Sequence, residues 1–149
     1  MAKALGDVKV RRLGRQLILN IPVDVVSALG LRQGMSFRIL SRSSEELVLE
    51  LGEGPIHVLQ AGKSALRLAI DTALAPFKEG DRVLVMSKDD TTLVLQRIDY
   101  HIVKVSKKER SYYRVNIPWE LVEEIGLHKY DAVKVRARNG EIIIEPFEY

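Results

Sequence analysis

Val8-Lys9-Val10-Arg11-Arg12-Leu13-Gly14-Arg15, running on into Gln16-Leu17-Ile18-Leu19-Asn20-Ile21-Pro22, is the stretch on which the reading of this chain turns. Val8 and Val10 alternate with Lys9 and Arg11, the period of two that marks a strand with one face buried. Gly14-Arg15 reads as a turn, and 16–21 as a β-rich second strand. Pro22 suits the first position of a helix, because its ring fixes φ and its missing N–H would find no partner there. A short helix over 22–29 is expected, with Val25, Val26 and Leu29 on one face and Gly30 as a left-handed C-terminal cap. Phe37 and Ile39 flank Arg38 in a third strand. A fourth strand covers 47–51, beyond the polar turn Arg42-Ser43-Ser44-Glu45.

The same order returns near the end of the chain. Ile21-Pro22 recurs as Ile117-Pro118, Gly30-Leu31 as Gly126-Leu127, and Val8-Lys9-Val10 as Val103-Lys104-Val105. Val25, Leu29, Phe37 and Ile39 meet Leu121, Ile125, Val133 and Val135. The last turn is Asn139-Gly140, the pair favoured by a two-residue type I′ hairpin. A weaker copy lies between, where Leu68-Ala69-Ile70-Asp71 resembles Leu19-Asn20-Ile21-Pro22 and Val83-Leu84-Val85 follows Lys78-Glu79-Gly80-Asp81. The chain therefore divides into unit 1 (1–52), a degenerate middle unit (53–99) and unit 2 (100–149). Gly52-Glu53-Gly54-Pro55 and Asp99-Tyr100-His101 are the joints. Each unit reads β-β-α-β-β. One such unit, of roughly 45 residues, buries too little surface to stand alone and must pair its strands with another unit.

With 149 residues, 46% hydrophobic and 29% charged, the composition is that of a globular chain. No apolar run reaches the roughly 18–20 residues of a membrane span. The first residues lack the apolar core of a secretory signal, and there is no cysteine, so a cytoplasmic protein without disulfides or thiolate metal sites is expected. The net charge of +3 hides two concentrations. Residues 1–20 carry Lys3, Lys9, Arg11, Arg12 and Arg15 against Asp7 alone, and 102–116 carry Lys104, Lys107, Lys108, Arg110 and Arg114 against Glu109 alone. Long cationic side chains on a two-stranded ribbon can neutralise phosphates, and such a ribbon fits the major groove of DNA. His57, His101 and His128 are far apart in sequence, so no metal or other cofactor is expected. The absence of a nucleophile elbow or a Gly-rich phosphate loop argues against an enzyme, and no catalytic residue is assigned.

The basic first hairpin, the Ile-Pro step, the short helix, Gly30-Leu31, Gly34 and the final hairpin resemble the AbrB/MazE/SpoVT family, its archaeal members above all. The segment from Arg110 to Pro118 onward resembles a second copy, and together the two cover well over half the chain. The resemblance implies a mainly β swapped-hairpin barrel, in which two β-β-α-β-β units exchange hairpins, and it implies double-stranded DNA as the partner. The DNA-facing positions it implies are Lys9, Arg11, Arg12 and Arg15, then Lys104, Lys107, Lys108, Arg110 and Arg114. The middle unit keeps only Lys63 and Arg67 of this set, and Tyr130 stands where the last copy should have glycine. A nucleoid-associated transcriptional regulator is therefore expected, acting as a homodimer or higher homo-oligomer, with room for a protein partner. Three units leave two arrangements open. Two units pair within the chain and the third across chains, or two whole chains interlock. The competing functions are an antitoxin-like module that binds DNA and a toxin, and a cradle-loop barrel that recognises protein or nucleotide without DNA.

Overall fold

The computed structural model describes residues 4–103, 105–109, 112–130 and 133–146, with the backbone alone at 105–109 and 112–114. The chain is mainly β, with 50% strand and 12% helix. It separates into two compact units, Met1–Ile102 and Val103–Tyr149. The division falls just after the Asp99-Tyr100-His101 joint.

The first unit contains β1 (Leu5–Lys9), β2 (Arg11–Leu13), β3 (Gln16–Asn20), α1 (Val23–Leu29), β4 (Ser36–Arg42), β5 (Glu46–Leu51), β6 (Ile56–Ala61), β7 (Ala65–Asp71), β8 (Arg82–Ser87) and β9 (Thr92–Ile98). Its strands form one antiparallel, nearly closed, barrel-like sheet in the order β1-β8-β9-β5-β4-β6-β7-β3-β2. The two strands at the ends of that order are consecutive in the chain. β1 pairs with β8, and after Val10 the same run becomes β2 and pairs with β3. Val10 bridges the change of partner: its N–H donates to Asp81 O at 2.8 Å and its C=O accepts from Gly80 N at 2.9 Å. A second such bridge is made by Val58, whose N–H donates to Met35 O at 2.9 Å and whose C=O accepts from Gly34 N at 3.0 Å.

Alternation along the strands fills the interior. Val10, Leu17, Leu19, Leu47, Leu49, Ile56, Val58, Leu68, Ile70, Val83, Val85, Leu93 and Leu95 are all essentially inaccessible and join one core with Phe37. Because side chains change faces at every residue, a one-residue slip in any of these strands would turn its apolar set outward. α1 adds Val25 and Leu29 to that core. Pro22 precedes the helix as its N-cap with ψ of 140°, one residue short of the expected first turn, while Gly30 ends it in the left-handed region at φ 61° as expected. In the middle stretch no helix forms at the matching place. Ala75 and Phe77 are buried there instead.

The second unit runs β10 (Val105–Glu109), β11 (Tyr112–Val115), α2 (Trp119–Glu124), a 3-10 turn (Leu127–Lys129), β12 (Val133–Arg138) and β13 (Glu141–Pro146). Among the described residues β10 pairs with β11 alone, and β12 with β13 alone. Asn139 and Gly140 both take positive φ, 50° and 80°, as a type I′ turn requires.

Candidate nucleic-acid interface

β2 and β3 make a short hairpin whose register is Arg11↔Ile18, Arg12↔Leu17 and Leu13↔Gln16. Gly14 turns the chain with φ 64°, a conformation that strains any residue with a Cβ. Arg12 Nε donates to Gly14 O at 2.9 Å, bracing the turn. On its other side the turn is tied to the sheet by Thr72 N, which donates to Arg15 O at 2.9 Å. All three residues of β2 are exposed, while Leu17, Ile18 and Leu19 of β3 are buried. The ribbon thus has a fixed base and an open outer strand.

The pleat divides the four cations of this segment. Val8 and Val10 face the core, so Lys9, Arg11 and Leu13 stand on the outer face, and Arg12 stands on the opposite face of β2. Arg15 occupies the turn itself. All four are exposed, and none makes a salt bridge with any described residue. Arginines elsewhere do pair with acids: Arg38 with Glu50, Arg97 with Glu45, and Arg136 with Glu145.

Asp7, the one acid of the basic N-terminal stretch, is withdrawn from it. Its carboxylate pairs with Arg82 at 2.5 Å, accepts a hydrogen bond from Ile102 N at 3.0 Å and lies 3.7 Å from His101 Nδ1. Arg82 stands directly opposite Lys9 in the β1–β8 ladder. Like charges facing one another across strands are unfavourable. Asp7 absorbs the charge of Arg82 and leaves that of Lys9 in excess at the surface.

Arg67 joins the set from the middle stretch. On β7 Leu68 and Ile70 point inward, so Arg67 shares the outer face with Arg11, opposite Asn20 of β3. The exposed His57 takes the same face on β6. Arg67 is one of the two cations that the resemblance matched in the middle unit; no sequence signal marks His57. On this face Asp71 is turned to structural use, its Oδ1 accepting from Ala73 N at 2.9 Å.

In the second unit Lys107 and Lys108 belong to β10 and Arg114 to β11, with Lys107 opposite Tyr113 and Arg114 opposite Ser106. The register shifts between Lys107 and Glu109, which puts Lys108 at an irregularity in the ladder. Lys104 and Arg110 lie outside the described residues. Among the described residues no group of three or more His, Asp or Glu is placed to hold a metal ion, and no helix is long and apolar enough to cross a membrane. Compared with protein-family models, curated proteins and solved structures, the chain matches none.

Proposed function

We propose that this protein is a non-catalytic regulator of transcription that holds duplex DNA with basic β-hairpins, β2–β3 in the first unit and β10–β11 in the second, on a swapped-hairpin barrel. One observation carries the reading. Arg11, Arg12 and Arg15 are exposed and make no salt bridge with any described residue, on a hairpin that the sheet holds at its base. An arginine without an internal carboxylate is available to a phosphate oxygen or, in bidentate fashion, to a guanine edge. Arg12 keeps the use of its terminal nitrogens, since only Nε is committed to the turn. Affinity would come from releasing counterions as phosphates are neutralised, and selectivity from arginine contacts and DNA deformability.

The test is retention on duplex DNA across a salt series, comparing the native chain with the triple variant Arg11→Glu, Arg12→Glu, Arg15→Glu. Each lost phosphate contact should flatten the plot of log affinity against log salt by about 0.9, so the triple variant should lose up to about 3 units of slope. The variant should keep the circular dichroism of the native protein, because all three side chains are exposed. Native binding that ignores salt, or no binding at low ionic strength, would sink the proposal and favour a barrel that recognises protein or nucleotide.

A further inference from the structure

The ladders of the first unit repeat when its two halves are exchanged. β1 against β8 sets Val8 opposite Val83 and Lys9 opposite Arg82, and β6 against β4 sets Ile56 opposite Phe37 and His57 opposite Ser36. The bridges made by Val10 and Val58 are the same step in each half. In the β3–β7 ladder Leu19 is directly opposite Leu68, its own match in sequence. In the β5–β9 ladder Val48 of Leu47-Val48-Leu49 is opposite Val94 of Leu93-Val94-Leu95. Like meeting like at the centre of an antiparallel ladder is the signature of a two-fold relation. The hairpins β2–β3 and β6–β7 are therefore one element presented twice, on either side of an approximate dyad.

Their charges do not follow that dyad. With Gly14 matched to Gly62, the places of Lys9, Arg11, Arg12 and Arg15 are taken by His57, Leu59, Gln60 and Lys63. Of these, Lys63 alone is a permanent cation. The hydrogen bonds at the turns deepen the difference. Arg12 spends only Nε on Gly14 O, whereas the Gln60 amide nitrogen donates to Gly62 O at 2.9 Å and to Lys63 O at 3.4 Å. What Gln60 has left to offer is an acceptor oxygen, which makes no hydrogen bond with a phosphate. Leu59, exposed in the place of Arg11, has no polar group to offer. Arg67 does not restore the balance, because it sits one residue from the dyad.

Resting on the DNA reading above, we propose that the first unit grips duplex DNA from one side of its dyad only. β2–β3 holds the phosphates on its own side, and β6–β7 leaves the matching side almost unheld. A two-fold DNA-binding body ordinarily reads a palindrome, because each half places the same contacts on its own half-site. Here one half keeps the frame of the contact and has lost its cations. The element that the first unit takes is therefore a non-palindromic duplex, and the unit has one orientation on it.

The charges can be transposed without disturbing the turns, since Arg12 and Gln60 make the same brace and Arg11, Arg12, Leu59 and Gln60 are all exposed. The probe is the duplex that the full native chain enriches from a randomised library, read by ethylation interference and by affinity over a salt series. The β10–β11 hairpin is the same throughout, so differences between variants report the first unit. Arg11→Leu with Arg12→Gln should flatten the plot of log affinity against log salt by up to about 2. It should also abolish interference over one run of phosphates that has no two-fold mate. Adding Leu59→Arg and Gln60→Arg to that pair should restore the slope and move the sensitive run across the dyad. Two mirrored runs in the native complex, both belonging to the first unit, would overturn the one-sided grip and leave DNA binding intact. So would a fourfold variant with native circular dichroism that fails to recover the slope. A native chain that retains no duplex at low ionic strength would remove the DNA reading and this proposal with it.

Discussion

Asp7, Gly54 and Asp89 show what single positions do here. Asp7 binds Arg82, Ile102 and His101 at once, so the acid counted against the basic stretch in the sequence does nothing to neutralise it in space. Gly54 lies in a stretch that reads as a spacer, but it is a close crossing: a Cβ there would fall on Phe37 O and 2.6 Å from Arg38 Cα. Backbone of a paired strand cannot step aside as a side-chain tip can. Gly54→Ala should therefore cost about 3 kcal/mol in urea unfolding, the upper end for overpacking; a variant as stable as the native chain would show that the crossing can relax. Asp89 closes the β8–β9 turn. Its carboxylate accepts from Thr91 N at 3.0 Å and Thr92 N at 2.8 Å, and the Thr91 N–H above all holds its pKa below the ordinary 3.8. With the folded value below the unfolded one, the stabilisation is complete above the unfolded value and is lost as pH falls through the folded one. A carboxyl carbon titration by NMR should give Asp89 a midpoint below that of a free aspartate, and a midpoint at or above it would remove this role.

At the scale of elements, the two hairpins β2–β3 and β6–β7 share a frame and differ in charge. Gly14 and Gly62 turn them with φ 64° and 76°, and Arg12 Nε and Gln60 Nε2 each donate to the turn glycine O at 2.9 Å. Where the first carries Arg11, Arg12 and Arg15, the second carries Leu59, Gln60 and Lys63. Lys63→Glu should consequently lower the salt slope of DNA binding by no more than about 1, against the larger loss from the first hairpin; equal losses would show that the ribbon frame, and not its charge, sets affinity. The strands were legible because alternation is a local property: Val8-Lys9-Val10 and Phe37-Arg38-Ile39 declare their inner faces without knowledge of their neighbours. The glycine cap and the Asn139-Gly140 turn were legible for the same reason, since both answer to backbone sterics alone. The clasp on Asp7 and the sharing of one sheet face by Arg67 and Arg11 were hidden, because they arise from pairing between segments far apart in the chain.

For the whole molecule, the sequence argued that no unit could stand alone, but it left open which units pair. A single sheet takes its strands from both sides of the Gly52–Pro55 link, while the described strands of 103–149 form two separate hairpins. Partner choice depends on edges left over after every ladder is made, and those appear only in three dimensions. Along the sheet, β1, β5-β4 and β3-β2 from before the link alternate with β8-β9 and β6-β7 from after it. The two halves are woven, so the peptide bonds of the link do little to keep them together. If a protease site were inserted there and cut, the nicked protein should migrate as one species on a native gel and come apart only in denaturant. Release of the fragments in plain buffer would mean that the weave is looser than its ladders imply. A break that would sever an ordinary two-domain protein should here leave the barrel standing, with its covalent continuity reduced to a convenience of synthesis.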